Sequence, residues 1–432
     1  MNTAMLLQII VLFGVLLLFL FLGFPTFLSM AISVLSFWVL WPQEFNALAF
    51  GQGIIKGLSD QNFVACCFYF LLGDIMSGGT LGDRMVTFLK AAIGHIPGGI
   101  AHVNILSSMV FAGVSGSSVA DTASVGAMSL NAMKKSGFPA DFSATLTAMT
   151  AIIGPIIPPS GGLVMMAVYL GCSARKMFIG GIVPGVLMGI LYMALTAYLS
   201  IKRNYPRDEK FCGWKKLWEG AKIGFGAFLL PALVIIALLA GFGTVVEIGA
   251  CSVFVAILLE VIYREFSWKK LLKMIMNTAI MATALISMIS MSGVFTWILS
   301  SLGIASWVAA QVTALGMGKT AIMMMCFVLF MILGCLLPVS VILYVIVPVI
   351  APIVLACGID PIYFGVVVTL IIQIGLNTPP VGTLIYMTAQ IAECNAADVI
   401  KQNVPYLVLI CGLVIAMILC PGIVTWLPNL IV

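Results

Sequence analysis

Gly154-Pro155-Ile156-Ile157-Pro158-Pro159-Ser160 decides the fold, together with Gly375-Leu376-Asn377-Thr378-Pro379-Pro380-Val381-Gly382, which begins 221 residues later. Both stretches lie inside long apolar runs, and both hold a Pro-Pro pair flanked by glycine. Proline removes a backbone donor and clashes with the preceding helical turn, so each run must break there. In lipid the freed backbone groups have no water to bind, and protein groups or a bound ligand must satisfy them.

That the surroundings are lipid follows from composition. Of 432 residues, 62% are hydrophobic and 8% charged. Soluble proteins carry about 25% charged residues, and a soluble core of this size needs a charged surface that this chain lacks. A spanning helix takes about 20 mostly apolar residues. Runs 5–23, 25–41, 177–200, 226–243, 246–262 and 404–420 meet or approach that length. The first run lacks a basic flank and a small-residue cleavage site, so it reads as a retained span. The 11 cysteines sit mostly in apolar runs, as at Cys66, Cys67 and Cys326. They show neither a disulfide framework nor metal-ligand spacing.

The net charge of +5 is carried by loops between apolar runs, which argues for membrane orientation rather than nucleic-acid binding. Loop 202–222 carries Lys202, Arg203, Arg207, Lys210, Lys215, Lys216 and Lys222, and loop 264–273 carries Arg264, Lys269, Lys270 and Lys273. The segment between them is long enough for two spans, which puts both loops on one side. Positive residues favour the cytoplasm. Walking outward adds Arg84, Lys90, Lys134, Lys135 and Lys401 to that side and leaves Lys56, Arg175, Lys176 and Lys319 opposite, 16 bases against 4, with both chain ends outside.

The halves resemble each other at the same offset. Gly82 matches Gly303, Gly113 matches Gly334, Gly137 matches Gly358, and Pro158-Pro159 match Pro379-Pro380. Five spans separate equivalent points, so the second copy is inverted, as in many secondary transporters with sites at mid-membrane. Two further segments are too short to span. One is the Gly/Ser-rich tip 113–118, and the other is its mate at 334–339, Gly334-Cys335-Leu336-Leu337-Pro338-Val339. Each tip lies between short apolar flanks, as a re-entrant hairpin requires. The expected architecture is an all-α polytopic membrane protein with inverted-topology repeats, two re-entrant hairpins, and two proline-broken helices at 154–160 and 375–382. Half-helix ends there favour anions at N-termini and cations at C-termini.

Several motifs carry a family resemblance. They are Gly98-Gly99-Ile100-Ala101-His102-Val103-Asn104, FAGVSGSSVADTASVG at 111–126, IIGPIIPPS at 152–160, GGIVPG at 180–185, GIDPIYFGV at 358–366 and IGLNTPPVG at 374–382. In order and spacing, nearly end to end, they resemble the large membrane subunit of tripartite ATP-independent periplasmic (TRAP) transporters. The resemblance implies an elevator-type, sodium-driven importer of organic acids, such as C4-dicarboxylates, sialic acid and other sugar acids, in a bacterial or archaeal cytoplasmic membrane. It implies a small four-span membrane subunit and a periplasmic binding protein as partners, and sodium with no organic cofactor. It puts one sodium site at Gly334, Gly375, Thr378 and Val381, and the other at Ser115, Gly154 and Pro158. Scaffold helices are then expected at 1–60 and 223–281, and transport-domain parts at 61–172 and 282–400. A linking span and basic loop occupy 173–222, and a C-terminal span 401–432. Family members often carry an acidic residue after the second tip, where this chain has Pro338-Val339-Ser340.

Asp121 lies inside an apolar hairpin, where acidic residues default to function. It either braces the tip or touches the ion site. Ser117, Ser118, Ser160, Asn377, Pro379 and Pro380 are further candidates for contact with the solute. His95 and His102 lack a partner carboxylate at relay spacing and read as structural. Gly318-Lys319-Thr320 imitates the end of a phosphate loop, but Thr313 stands where that loop needs glycine. Trp38, Trp41, Trp297, Trp307 and Trp426 lie near span ends, as interfacial anchors do. No Ser/His/Asp set or metal cluster points to an enzyme. The competing readings are an organic-anion carrier that needs no binding protein, and a passive channel, which requires no alternating sites.

Overall fold

The computed structural model describes all residues except 1–2, 59–60, 79–80, 116, 207–212, 305–306, 309, 312–315 and 432. Gly116 of the first tip and the loop bases Arg207 and Lys210 therefore lie outside the described residues, and Ser115 is described in its backbone alone. The described residues form helices and no strand.

The first repeat runs α1 (Thr3–Phe21), α2 (Thr26–Leu40), α3 (Ala47–Leu58), α4 (Gln61–Gly78), α5 (Leu81–Ile93), α6 (Gly99–Ser115), α7 (118–135), α8 (Ala140–Ala151), α9 (Gly161–Leu170) and α10 (Ala174–Lys202). The second runs α11 (Trp214–Ala240), α12 (Val245–Ile262), α13 (Trp268–Ser301), α14 (Lys319–Leu336), α15 (Val339–Ala356), α16 (Pro361–Gly375), α17 (Thr383–Ala392) and α18 (Ala396–Leu419), with α19 (Gly422–Ile431) after it. Elements recur at the offset of the sequence repeat: α6 with α14, α7 with α15, and α8 with α16. Both Pro158–Pro159 and Pro379–Pro380 are cis. One pairing is unequal. α3 and α4 together correspond to the single 34-residue helix α13, which has no glycine or proline before Gly293. The 281/282 boundary drawn from the sequence falls inside this unbroken helix.

Among the described residues six helices, α10, α12, α13, α14, α15 and α18, are long and apolar enough to cross a bilayer. α7 and α15 each contain one π-helical turn, Thr122–Gly126 and Ile342–Ile346, close to the tip. Such turns widen a helix by one residue and recur at functional sites.

Contacts along α18 show that the repeats are inverted. α6 and α7 fold back on each other, and Asn104 near one base contacts Met133 near the other at 3.5 Å. The base of this pair meets the end of α17 and the start of α18: Lys134 donates to the Ala392 carbonyl at 2.7 Å, and the neighbouring Thr145 hydroxyl donates to the Val399 carbonyl at 3.2 Å. α14 and α15 also start and finish together, since Lys319 lies beside Gly358. Their base meets the other end of α18. Tyr363 donates to the Ile418 carbonyl at 3.3 Å, and Lys319 and Ile418 share a surface pocket. A 24-residue helix is about 36 Å long. The two folded-back pairs therefore approach from opposite ends and bring their tips together between them.

α10 holds the first break in place. A Cβ on Gly181 would lie 2.2 Å from the Ile156 carbonyl oxygen, and one on Gly185 would lie 2.3 Å from the Ile157 side chain. The GGIVPG motif is thus a groove that receives the broken segment. Gly412 on α18 has no atom within 4 Å of a built Cβ and serves as the comparison. Gly181→Ala is expected to lose about 1–3 kcal/mol, as overpacking against immobile backbone does, while Gly412→Ala stays neutral or gains slightly. Thermal unfolding of the purified membrane complex checks the difference, and equal effects of the two substitutions would remove the groove from the account.

Candidate functional site

The first break starts where α8 ends at Ala151 and closes at Ser160, and residues 151–160 are all buried. Ser160 caps α9. It accepts the Leu163 amide at 3.3 Å and donates its hydroxyl to the Pro155 carbonyl at 2.6 Å. One side chain therefore satisfies groups on both sides of the break. The buried Asp121 carboxylate lies against the Gly154 backbone, where a Cβ would sit 2.1 Å from Oδ2. Glycine at 154 is what lets that carboxylate approach. Beneath it, Asn104 donates to Thr147 at 2.9 Å.

The second break follows α16. Gly375 and Gly334 touch backbone to backbone, with a Cβ on Gly375 falling 2.4 Å from the Gly334 carbonyl carbon. The Cys335 thiol donates toward the carbonyls of Thr378 and Pro379, at 3.2 and 2.9 Å. Thr378 donates to Ile374 at 2.9 Å. Asn377 is a buried strut: its side-chain amide donates to the Ala148 carbonyl at 2.7 Å, and its backbone carbonyl accepts from Asn403 at 2.7 Å. Pro379, Pro380 and Val381 are exposed, unlike their equivalents in the first break. The repeats share a backbone plan, but one break is closed over and the other is open.

Between the tips lies a cavity of about 580 Å³. Three helix beginnings form part of its wall: Ser117 to Ala120 at the start of α7, Gly161 and Gly162 of α9, and Val339 and Ser340 of α15. Helix N-termini present unpaired amides and favour anions. α4 contributes Phe70, Gly73 and Asp74, and α13 contributes Met281, Ala284, Leu285 and Met288. Ser118 donates to Gln373 of α16 at 2.5 Å, tying the first tip to the helix that leads into the second break.

The structure brings Gly334, Gly375 and Thr378 together at one break, and Gly154 and Pro158 at the other. Val381 lies on the exposed side of its break. Ser117 and Ser118 line the cavity, whereas Asp121, Ser160, Asn377, Pro379 and Pro380 belong to the breaks and not to its wall. Among the described residues no three His, Cys, Asp or Glu side chains converge as metal ligands. The oxygens offered at the breaks are carbonyls, the Thr378 hydroxyl and the Asp121 carboxylate, a set suited to hard cations. Sequence reasoning missed Asp74 and Gln373. Both are polar residues inside apolar runs, which is the signal that singled out Asp121.

Topology and site together define a polytopic membrane protein of the transporter class. The description "Tripartite ATP-independent periplasmic transporter, DctM component" matches residues 13–423, and the chain belongs to that family, the large permease proteins of TRAP transporters. It is 30% identical over 387 residues to the 2,3-diketo-L-gulonate TRAP transporter large permease protein YiaN of Escherichia coli, covering 89% of this chain and 91% of that one. It is also 30% identical to the sialic acid TRAP transporter permease protein SiaT of Haemophilus influenzae, covering 96% and 67%. The C4-dicarboxylate TRAP transporter large permease protein DctM of Pseudomonas aeruginosa is 28% identical, with 93% of each covered. In fold, the chain resembles the Alcanivorax borkumensis YdaH transporter, with TM-score 0.64, 16% identity, and 88% and 89% covered. The three TRAP relatives are permease proteins, not enzymes, and the family implies a small membrane subunit and a periplasmic binding protein as partners.

The Ser118–Gln373 bond yields a direct expectation. Ser118→Ala and Gln373→Leu should each slow uptake, and a double-mutant cycle on stability should give a coupling of about 1 kcal/mol. A coupling indistinguishable from zero would show that the two groups act independently.

Proposed function

We propose that this chain is the permease of a sodium-driven, binding-protein-dependent importer of organic acids in the cytoplasmic membrane, and that it works by an elevator displacement of the hairpins and breaks against the outer helices. The observation that carries this reading is the cavity between the two tips, bordered by three helix N-termini and adjoining both interrupted helices. A carboxylate placed there meets amides and serine hydroxyls. A cation at either break meets carbonyl and hydroxyl oxygen. Solute and ion would thus share structural parts, because the α7 tip borders the cavity and also carries Asp121 to Gly154. That sharing is what coupling requires.

In this reading each folded-back pair is a re-entrant hairpin. One sodium is held around Gly334, Gly375, Thr378 and Val381, and the other around Ser115, Gly154 and Pro158. Each sodium entering across 100 mV contributes about 2.3 kcal/mol, enough in pairs to accumulate an acid against its gradient. The relatives named for 2,3-diketo-L-gulonate, sialic acid and C4-dicarboxylates support an organic acid as solute.

Uptake into proteoliposomes containing this chain and its small partner should require both an inward sodium gradient and the binding protein. Uptake without the binding protein would support a self-sufficient carrier, and flux without any gradient a channel. Thr378→Val and Ser115→Ala should each raise the sodium concentration for half-maximal uptake about tenfold, the loss of roughly one oxygen ligand to a charged group, with the complex still folded. Wild-type sodium dependence in both variants would refute the site assignment.

A further inference from the structure

We propose that the cavity selects a solute with one carboxylate and with hydrogen-bond donors at its far end, as in a hydroxylated sugar acid, and that Asp74 is the residue that excludes dicarboxylates. This rests on reading the cavity as the solute site.

Charge is the first argument. Among the described residues lining the cavity, Asp74 is the one ionisable acid, and there is no lysine, arginine or histidine. The sequence makes this general, because it has no Lys or Arg at 57–83, 91–133, 136–174, 274–318 or 320–400. Every residue of the cavity wall falls in one of those stretches. Lys273, the base closest in sequence on α13, precedes Met281 by two helical turns, and Arg84, beyond α4, is paired with Glu265 at 2.7 Å. Any carboxylate in the cavity must therefore be held by neutral donors.

Placement is the second argument. The neutral donors come from the three helix beginnings that line the cavity, those of α7, α9 and α15, together with the hydroxyls of Ser117 and Ser340. They suit one anionic group. Asp74 is contributed by a different element, α4. Ionised, a carboxylate can only accept hydrogen bonds. It matches O–H or N–H groups on the solute and repels a second carboxylate, which would find no base to neutralise it. The remaining lining, Phe70, Met165, Met281, Leu285 and Met288, suits a carbon skeleton. At about 580 Å³ the cavity lies in the range that encloses mid-sized ligands, more than a four-carbon acid fills.

The test is solute binding to the purified membrane complex in nanodiscs with sodium and without the binding protein, whose own selectivity would otherwise dominate. The probes are gluconate, sialic acid and succinate. At least one sugar acid is expected to bind ten times more tightly than succinate. Asp74→Asn should shrink that ratio about tenfold, and Asp74→Glu should keep it, which separates charge from misfolding. Ala284→Trp, which fills the cavity, should abolish binding of every probe. If Ala284→Trp leaves binding intact, the cavity is not the solute site, and the reading beneath this inference falls with it. If Ala284→Trp abolishes binding but Asp74→Asn leaves the ratio unchanged, the inference alone is overturned. It is equally overturned if succinate binds the wild type as tightly as the better sugar acid, or if neither sugar acid binds.

Discussion

Interrupted backbone inside a membrane protein has to find its hydrogen bonds within the protein, and this structure is organised around that requirement. Two helices stop in mid-course at Pro-Pro pairs, and lipid offers their loose amides and carbonyls nothing. The answers are local and specific. Ser160 bridges the first break. Cys335, Asn403 and Tyr386 serve the carbonyls of the second. Glycines at 154, 181, 334 and 375 let backbone approach backbone or carboxylate, Gly185 makes room for the Ile157 side chain, and the first broken segment is enclosed by protein. A larger residue at any of these positions would separate surfaces whose contact keeps lipid out.

From that requirement come both symmetry and its departure. The folded-back pairs enter from opposite ends of α18 and meet at one cavity. The pattern is that of a two-fold relation, and a site on such an axis can be reached from either side. The two breaks nevertheless differ in exposure: residues 151–160 are enclosed, while Pro379, Pro380 and Val381 are open. The lining differs too, since α4 contributes Asp74 and the single helix α13 contributes only apolar side chains and Ala284. Equivalent backbone with inequivalent chemistry suits a solute whose two ends differ.

Much of this was legible in the sequence because lipid narrows the options. Pro158-Pro159 and Pro379-Pro380 can only be breaks, and their equal spacing with flanking glycines exposes the repeat in the sequence alone. The tips at 113–118 and 334–339 are expected from short apolar flanks, but α14 and α15 on either side of the second tip are 18 residues each and long enough to cross a bilayer, so flank length does not mark that tip as re-entrant. What stayed hidden is what depends on three-dimensional partners. Nothing local says that α13 runs unbroken while α3 and α4 are separate helices, or that π turns fall just past each tip. Asp74 and Gln373 announce themselves as polar residues among apolar ones, but only the fold shows that both border the cavity. Conversely, Asn377 and Ser160 have the chemistry of ligand contacts, and their hydrogen bonds are struts and caps. A polar residue at a helix break serves the backbone first, and sequence alone does not separate that service from binding.

In the proposed elevator motion the two folded-back helix pairs and the breaks move as a body relative to the outer helices, carrying the cavity with them. The most direct test is a pulsed-dipolar distance measurement between spin labels on noncanonical residues at Leu258 of α12 and Gln390 of α17, both exposed. The measurement would be made in nanodiscs with and without sodium and solute. Two distance populations are expected, with a ratio that changes when both ligands are added. A single distance, unchanged under every condition in a complex that still transports, would contradict the proposed motion.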